Sequence, residues 1–133
     1  MNGNQREQLI VTARDARQQA YAPYSGFEVG AAVLTKSGEI FSGCNIENAS
    51  YGLTICAERV AMVTAVAAGY RDFAAIAVVT SGGASPCGSC RQFLAEFCDD
   101  VPILLVNADD ATVEETQLTD LLPRRFSASR TDT

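Results

Sequence analysis

Hydrophobic and polar positions along the chain alternate between two periods. Over 7–21, Leu9, Ile10, Ala13, Ala16 and Ala20 recur at near-helical spacing, which predicts an amphipathic helix. The breaker cluster Ala22-Pro23-Tyr24-Ser25-Gly26 follows. Stretches 27–35 and 39–44 read as strands, with Lys36-Ser37-Gly38 as a short hairpin connection. Residues 45–55 are polar and irregular. A helix is expected over 56–68, with Gly69 placed to end it in a left-handed cap. The continuous apolar run 73–80 predicts a buried strand, and 81–85 a loop. Pro86 suits the first turn of a helix reaching 97. A buried strand over 101–106, a weak strand over 112–116 and a short helix over 118–122 complete the chain. Alternating strands and helices predict an α/β layered sheet, and the opening hairpin makes that sheet mixed.

The length of 133 residues favours one domain over 1–133, with flexible ends at about 1–5 and 127–133. A hydrophobic fraction of 47% supplies a core, and 20% charged residues argue against global disorder. The start is polar, and no apolar run approaches the ~18 residues of a membrane span. These features predict a soluble, cytoplasmic protein with no membrane partner. A net charge of −6 would repel a polyphosphate backbone, so no nucleic-acid partner is expected; a small uncharged molecule fits better.

Cysteine changes the picture more than charge does. Five cysteines stand at 44, 56, 87, 90 and 98, and there is no histidine. An odd number argues against a disulfide framework and for metal binding or catalysis. Without histidine, proton transfer near neutral pH falls to a tuned carboxylate, a cysteine or a metal-activated water.

Two segments stand out: Cys56-Ala57-Glu58 and Pro86-Cys87-Gly88-Ser89-Cys90, each opening an expected helix after a loop. A lone Cys-x-x-Cys fits a redox pair, a structural zinc or nothing. With Cys56 added, the three thiols can hold one zinc per chain. Helix N-termini favour their thiolate forms. Three protein ligands leave one tetrahedral position open, which separates a catalytic zinc from a structural one. Glu58, two residues after Cys56, can reach that open position without being a ligand and act as proton carrier. Zinc with three thiolates totals −1, which makes the ion a poor acid unless donors offset it. Arg59 is the first candidate for that role and Arg91 the second. Cys44 and Cys98 read as small core residues.

At these residues the chain resembles the small cytidine deaminases with three cysteine ligands, whose zinc, non-ligand Glu and Pro-Cys-x-x-Cys are known together. The resemblance runs from Tyr21-Ala22-Pro23-Tyr24-Ser25 to Leu121-Leu122-Pro123. Its most specific stretches are Val29-Gly30-Ala31-Ala32, Asn45-Ile46-Glu47-Asn48-Ala49-Ser50-Tyr51-Gly52, Cys56-Ala57-Glu58-Arg59 and Ser85-Pro86-Cys87-Gly88-Ser89-Cys90-Arg91-Gln92. It implies a three-layer α/β/α fold with a five-stranded mixed sheet, and a homotetramer whose sites are completed by neighbours. Phe27 would pack on the pyrimidine ring, and Asn45 and Glu47 would bind the ribose 3′-hydroxyl. The Ala57 backbone and Glu58 would read the base. Ala49, Tyr51 and Phe126 would come from adjacent subunits.

Two stretches depart from the family's pattern: the loop 81–85 is a little short, and Arg124-Arg125 stand before Phe126 where small residues are usual. The function implied is hydrolytic deamination of cytidine, and of deoxycytidine, in pyrimidine salvage. The competing readings are deamination of another aminopyrimidine or a cytosine-containing antibiotic, polynucleotide editing, a structural zinc module and a thiol oxidoreductase.

Overall fold

Asn2 sets the first turn of the chain. Its side chain accepts the Gln5 backbone N–H at 2.8 Å, and the Gln5 side chain accepts the Asn2 N–H at 3.0 Å. This reciprocal cap starts helix α1 (Gly3–Arg17) at Gly3 rather than at residue 7. The end expected to be flexible, 1–5, thus holds the first helical turn. The computed structural model describes residues 1–128, so most of the other expected flexible end lies outside the described residues.

The chain continues as β1 (Gly30–Thr35), β2 (Ile40–Cys44), a single 3-10 turn (Tyr51–Leu53), α2 (Ala57–Ala67) and β3 (Phe73–Thr80). After these come α3 (Gly88–Phe97), β4 (Pro102–Asn107), β5 (Val113–Gln117) and α4 (Leu118–Leu121). The five strands form one sheet in the order β2-β1-β3-β4-β5. Only β3 and β4 run parallel, joined through α3; the other neighbours are antiparallel. The expected mixed sheet is therefore the one observed.

Alternation along the strands divides the core between the two faces. Ala32, Leu34, Ala75 and Ala77 pack with Leu9, Ile10 and Ala13 of α1. Ala31, Val33, Ile76, Val78, Ile103 and Leu105 pack with Ala61, Met62 and Ala65 of α2 and Leu94 of α3. The result is three layers, α/β/α, with α2 and α3 on the same face. Two glycines let helix backbone touch strand backbone. A Cβ at Gly30 would lie 2.1 Å from the Ala13 carbonyl oxygen, and one at Gly43 would lie 2.4 Å from the Ala61 nitrogen.

Three further boundaries differ from the sequence expectation by more than one residue. β1 begins at Gly30, not 27, because the Asn45 side chain takes backbone groups of Phe27 and Val29 that a ladder would use. α1 ends at Arg17 rather than 21, and Tyr21 instead donates its N–H to the Asn45 carbonyl at 2.9 Å. Pro86 stands before α3 rather than in its first turn, with Cys87 as N-cap. Gly69 does end α2 with a left-handed φ of 101°.

Candidate active site

Cys56 is the N-cap of α2 and Cys87 the N-cap of α3, both with extended backbone; Cys90 lies in the first turn of α3. Because α2 and α3 lie side by side, these turns bring three sulfurs together. Every pair among Cys56, Cys87 and Cys90 is within 4.8 Å. Cys90 is fully buried and Cys87 exposed.

The electrostatics of this cluster test whether a metal suits it. The Cys90 thiol bonds to the Cys56 sulfur, which lowers the Cys56 pKa and raises that of Cys90; Arg59 lowers Cys56 further. A thiolate at Cys56 thus works against a second one at Cys90. A divalent cation among them removes that conflict, and three soft thiolates match zinc. Among the described residues no fourth His, Cys, Asp or Glu joins the group, so one coordination position is left open.

Arg59 extends from the first turn of α2 back over its own N-terminus. Its Nη2 donates to the Thr54 carbonyl at 3.2 Å and to Cys56 Sγ at 3.8 Å, while its buried Nε has no partner. Its guanidinium thus lies against one of the three sulfurs. Arg91 does not: its guanidinium goes to Pro86, Ser85 and Leu121.

Glu58 is 5% exposed and lines a cleft of about 190 Å³ with Phe27, Val29, Asn45, Thr54, Cys56, Ala57, Val78, Thr80, Ala84, Ser85 and Cys87. Burial raises its pKa to about 7, and the nearby Cys56 charge adds to the rise. It therefore sits where a carboxyl can both hold and release a proton near neutrality. Cys56, Cys87, the Glu58 side chain and apolar walls share one cleft.

The residues assigned to the nucleoside divide into two groups. Phe27, Asn45 and Ala57 line the cleft, and Phe27 is 44% exposed there. Asn45 also ties down the neighbouring backbone. Its Oδ1 accepts the Val29 N–H at 2.9 Å and its Nδ2 donates to the Phe27 carbonyl at 2.7 Å. Glu47 lines an adjoining recess with Tyr24, Ser25, Asn48, Tyr51 and Thr54, and Thr54 is common to both hollows. The Glu47 Oε1 accepts the Tyr24 and Ser25 N–H groups at 2.9 and 3.1 Å, and its Oε2 accepts the Ser25 hydroxyl. The Ser25 hydroxyl, with these N–H groups, holds its carboxylate below the usual range. Ala49, Tyr51 and Phe126 are exposed and do not line the Glu58 cleft of their own chain. Sequence reasoning missed Thr54, Thr80 and Ala84. Thr80 at the end of β3 was the readable signal, since ligands gather where parallel strands end.

A layered α/β chain with three clustered thiols and a buried, non-ligating Glu defines the class of zinc-dependent deaminases. The family model for the cytidine and deoxycytidylate deaminase zinc-binding region matches residues 3–105, and the chain belongs to that family. It is 52% identical over 124 residues to a cytidine deaminase of Sporosarcina psychrophila, covering 91% of this chain and 90% of the relative. A crystal structure of cytidine deaminase from Burkholderia pseudomallei superposes with a TM-score of 0.87 at 50% identity, covering 95% of this chain and all of that one. One from Mycobacterium tuberculosis gives 0.80 at 40% identity, with coverage of 92% and 97%.

Proposed function

We propose that this chain hydrolyses the exocyclic amine of cytidine, and of deoxycytidine, releasing ammonia and the corresponding uridine within pyrimidine salvage. The observation that carries the reading is the buried Glu58 in the same cleft as Cys56 and Cys87, with the Cys90 sulfur within 4.8 Å of both their sulfurs. When bound, zinc supplies the Lewis acidity that makes water a nucleophile at the amine-bearing carbon. Glu58 would take a proton from the attacking water and give it to the ring nitrogen, where it stays, then take the second proton from the hydroxyl newly on that carbon and give it to the amine, which leaves as ammonia. Arg59 offsets negative charge on the Cys56 sulfur. Phe27, Val29 and Val78 give the cleft apolar walls for a flat ring and exclude bulk water. Asn45 lines the same cleft and Glu47 the adjoining recess that shares Thr54 with it, and sugar binding by these two would favour a nucleoside over a bare aminopyrimidine.

The wider setting follows the same reading. Ala49, Tyr51 and Phe126 face outward, as residues that complete neighbouring sites in a homotetramer would. Sedimentation at micromolar concentration measures that assembly directly. Five free cysteines suit a reducing, cytoplasmic compartment. No helix among the described residues is long and apolar enough to cross a membrane.

The test is the purified chain with cytidine, read for uridine and ammonia beside a zinc assay. Glu58→Gln is expected to keep one zinc per chain and its melting temperature while losing about 10²- to 10⁴-fold in kcat. A Gln variant with full turnover removes Glu58 from the mechanism. Turnover of a base or antibiotic equal to that of cytidine would move the substrate assignment.

A further inference from the structure

The three sulfurs are unequally anchored. Cys90 is buried within α3, and Cys56 begins α2 with the Arg59 guanidinium against its sulfur. Cys87 is exposed and ends the loop between β3 and α3. The early part of that loop is tied down: the Gly82 N–H meets Asn107 Oδ1 at 3.1 Å, and the Ala84 N–H meets Thr80 Oγ1 at 2.6 Å. Those bonds stop short of Ser85 and Pro86. Among the described residues, the side-chain bonds to Ser85 and Pro86 come from one guanidinium, while the Cys87 carbonyl accepts the Arg91 N–H at 3.0 Å as the first bond of α3. Arg91 Nε donates to the Pro86 carbonyl at 2.8 Å, Nη2 donates to Ser85 Oγ at 2.9 Å, and Nη1 donates to the Leu121 carbonyl at 2.9 Å. Each nitrogen has its own acceptor, and the last of these is the end of α4.

We propose that Arg91 is a positioning residue for the metal site: it braces the Ser85-Pro86 peptide against α4 and so sets Cys87 against the other two sulfurs. The inference rests on reading Cys56, Cys87 and Cys90 as the zinc ligands. Three acceptors in three directions require a planar fork; a lysine supplies one donor head and cannot span them. Loss of the brace leaves Cys56 and Cys90 in place and loosens Cys87 on its loop side, its carbonyl staying bonded to the backbone N–H of residue 91. The expected signature is therefore faster metal loss rather than a missing fold.

The experiment follows zinc leaving the loaded protein into excess chromogenic chelator, after zinc per chain has been measured. Arg91→Ala should release zinc at least tenfold faster than the wild type, and Arg91→Lys should behave like Arg91→Ala. Ser85→Ala should accelerate release by a smaller factor in the wild-type background and not at all in Arg91→Ala. Arg71→Ala is the control for general weakening. It removes a guanidinium bonded to the Val66 and Tyr70 carbonyls at the far end of α2, and should lower thermal stability with zinc release unchanged. The brace is overturned if Arg91→Ala releases zinc at the wild-type rate. It is equally overturned if Ser85→Ala acts alike in both backgrounds, or if Arg71→Ala accelerates release as much. A wild-type chain that carries no zinc overturns the ligand reading and this inference with it, and the initial zinc measurement identifies that case.

Discussion

Substituting Gly43 by Ala asks whether catalysis depends on how closely α2 sits on the sheet. Gly43 pairs with Ala31 in the β1–β2 ladder, and α2 crosses directly over it. An added Cβ would stand 2.4 Å from the Ala61 nitrogen, 2.8 Å from the Ala57 carbonyl oxygen and 2.8 Å from Val60 Cβ. Two of these are backbone atoms, so no rotamer change relieves the overlap. Ordinary contact begins at 3.4 Å, and 3.4 − 2.4 leaves about 1 Å for the helix to retreat. That retreat carries Cys56, Glu58 and Arg59 with it, since all three lie in the first turn or its cap. Misplacing reacting groups by about 1 Å costs on the order of 10²-fold in rate. Overpacking of this kind costs about 1–3 kcal/mol of stability. At about 4 °C per kcal/mol for a chain of this size, the melting temperature should fall by roughly 4–12 °C. The assay is kcat/KM for cytidine beside a thermal melt of the zinc-loaded protein. Gly30→Ala is the matched comparison, with a Cβ 2.1 Å from the Ala13 oxygen on the opposite face. It should cost at least as much stability and much less rate. Wild-type kcat/KM in Gly43→Ala, or equal rate losses in the two variants, would refute the coupling of α2 seating to catalysis.

Two more outcomes follow from side chains already described. Asn45→Ala leaves the Val29 N–H and the Phe27 carbonyl without their partner and should cost about 2–3 kcal/mol in denaturant melts, with KM rising more than kcat falls. Asn45→Asp should not rescue it, because a carboxylate would oppose the Phe27 carbonyl oxygen. Burial pushes the Cys98 thiol up to about 12, so Cys98 stays a protonated, unreactive thiol in the native chain at pH 8 and should be alkylated only after unfolding, as peptide mapping would show. Its folded pKa lies above the ordinary thiol value, so the native state holds its proton after the unfolded chain has lost it. Stability from this group is full below about pH 8.5 and declines as pH rises toward 12, and Cys98→Val should flatten that alkaline loss.

The order of elements was legible because the two hydrophobic periods are clean. The apolar run of β3 and the spaced apolar positions of α1 bury the faces they predict. What the periods could not show are places where a side chain replaces backbone. Residues 27–29 have strand-like composition, yet Asn45 takes their hydrogen bonds and the ladder stops at Gly30. Residues 3–6 lack apolar spacing, yet the Asn2–Gln5 cap makes them helical. The clustering of Cys56, Cys87 and Cys90 beside Glu58 was readable because helix starts fix local direction over three or four residues. Arg91 was not. Its acceptors include Leu121, thirty positions away, and no local pattern distinguishes a guanidinium turned toward a sulfur from one turned toward a distant carbonyl.

The Asn45 amide bears on how this sequence can change over generations. The group proposed to receive the sugar also closes the end of the hairpin and holds Phe27, and Glu47 likewise binds the Tyr24-Ser25 backbone. Specificity and foldability are therefore written in the same atoms. A substitution there that improves a new substrate also erodes the scaffold presenting it. Val29, Val78 and Ala84 border the same cleft with side chains that take part in no hydrogen bond. Adaptation to a different pyrimidine has its open path through those three, and a library seeking such variants would vary them while keeping Asn45 and Glu47 fixed.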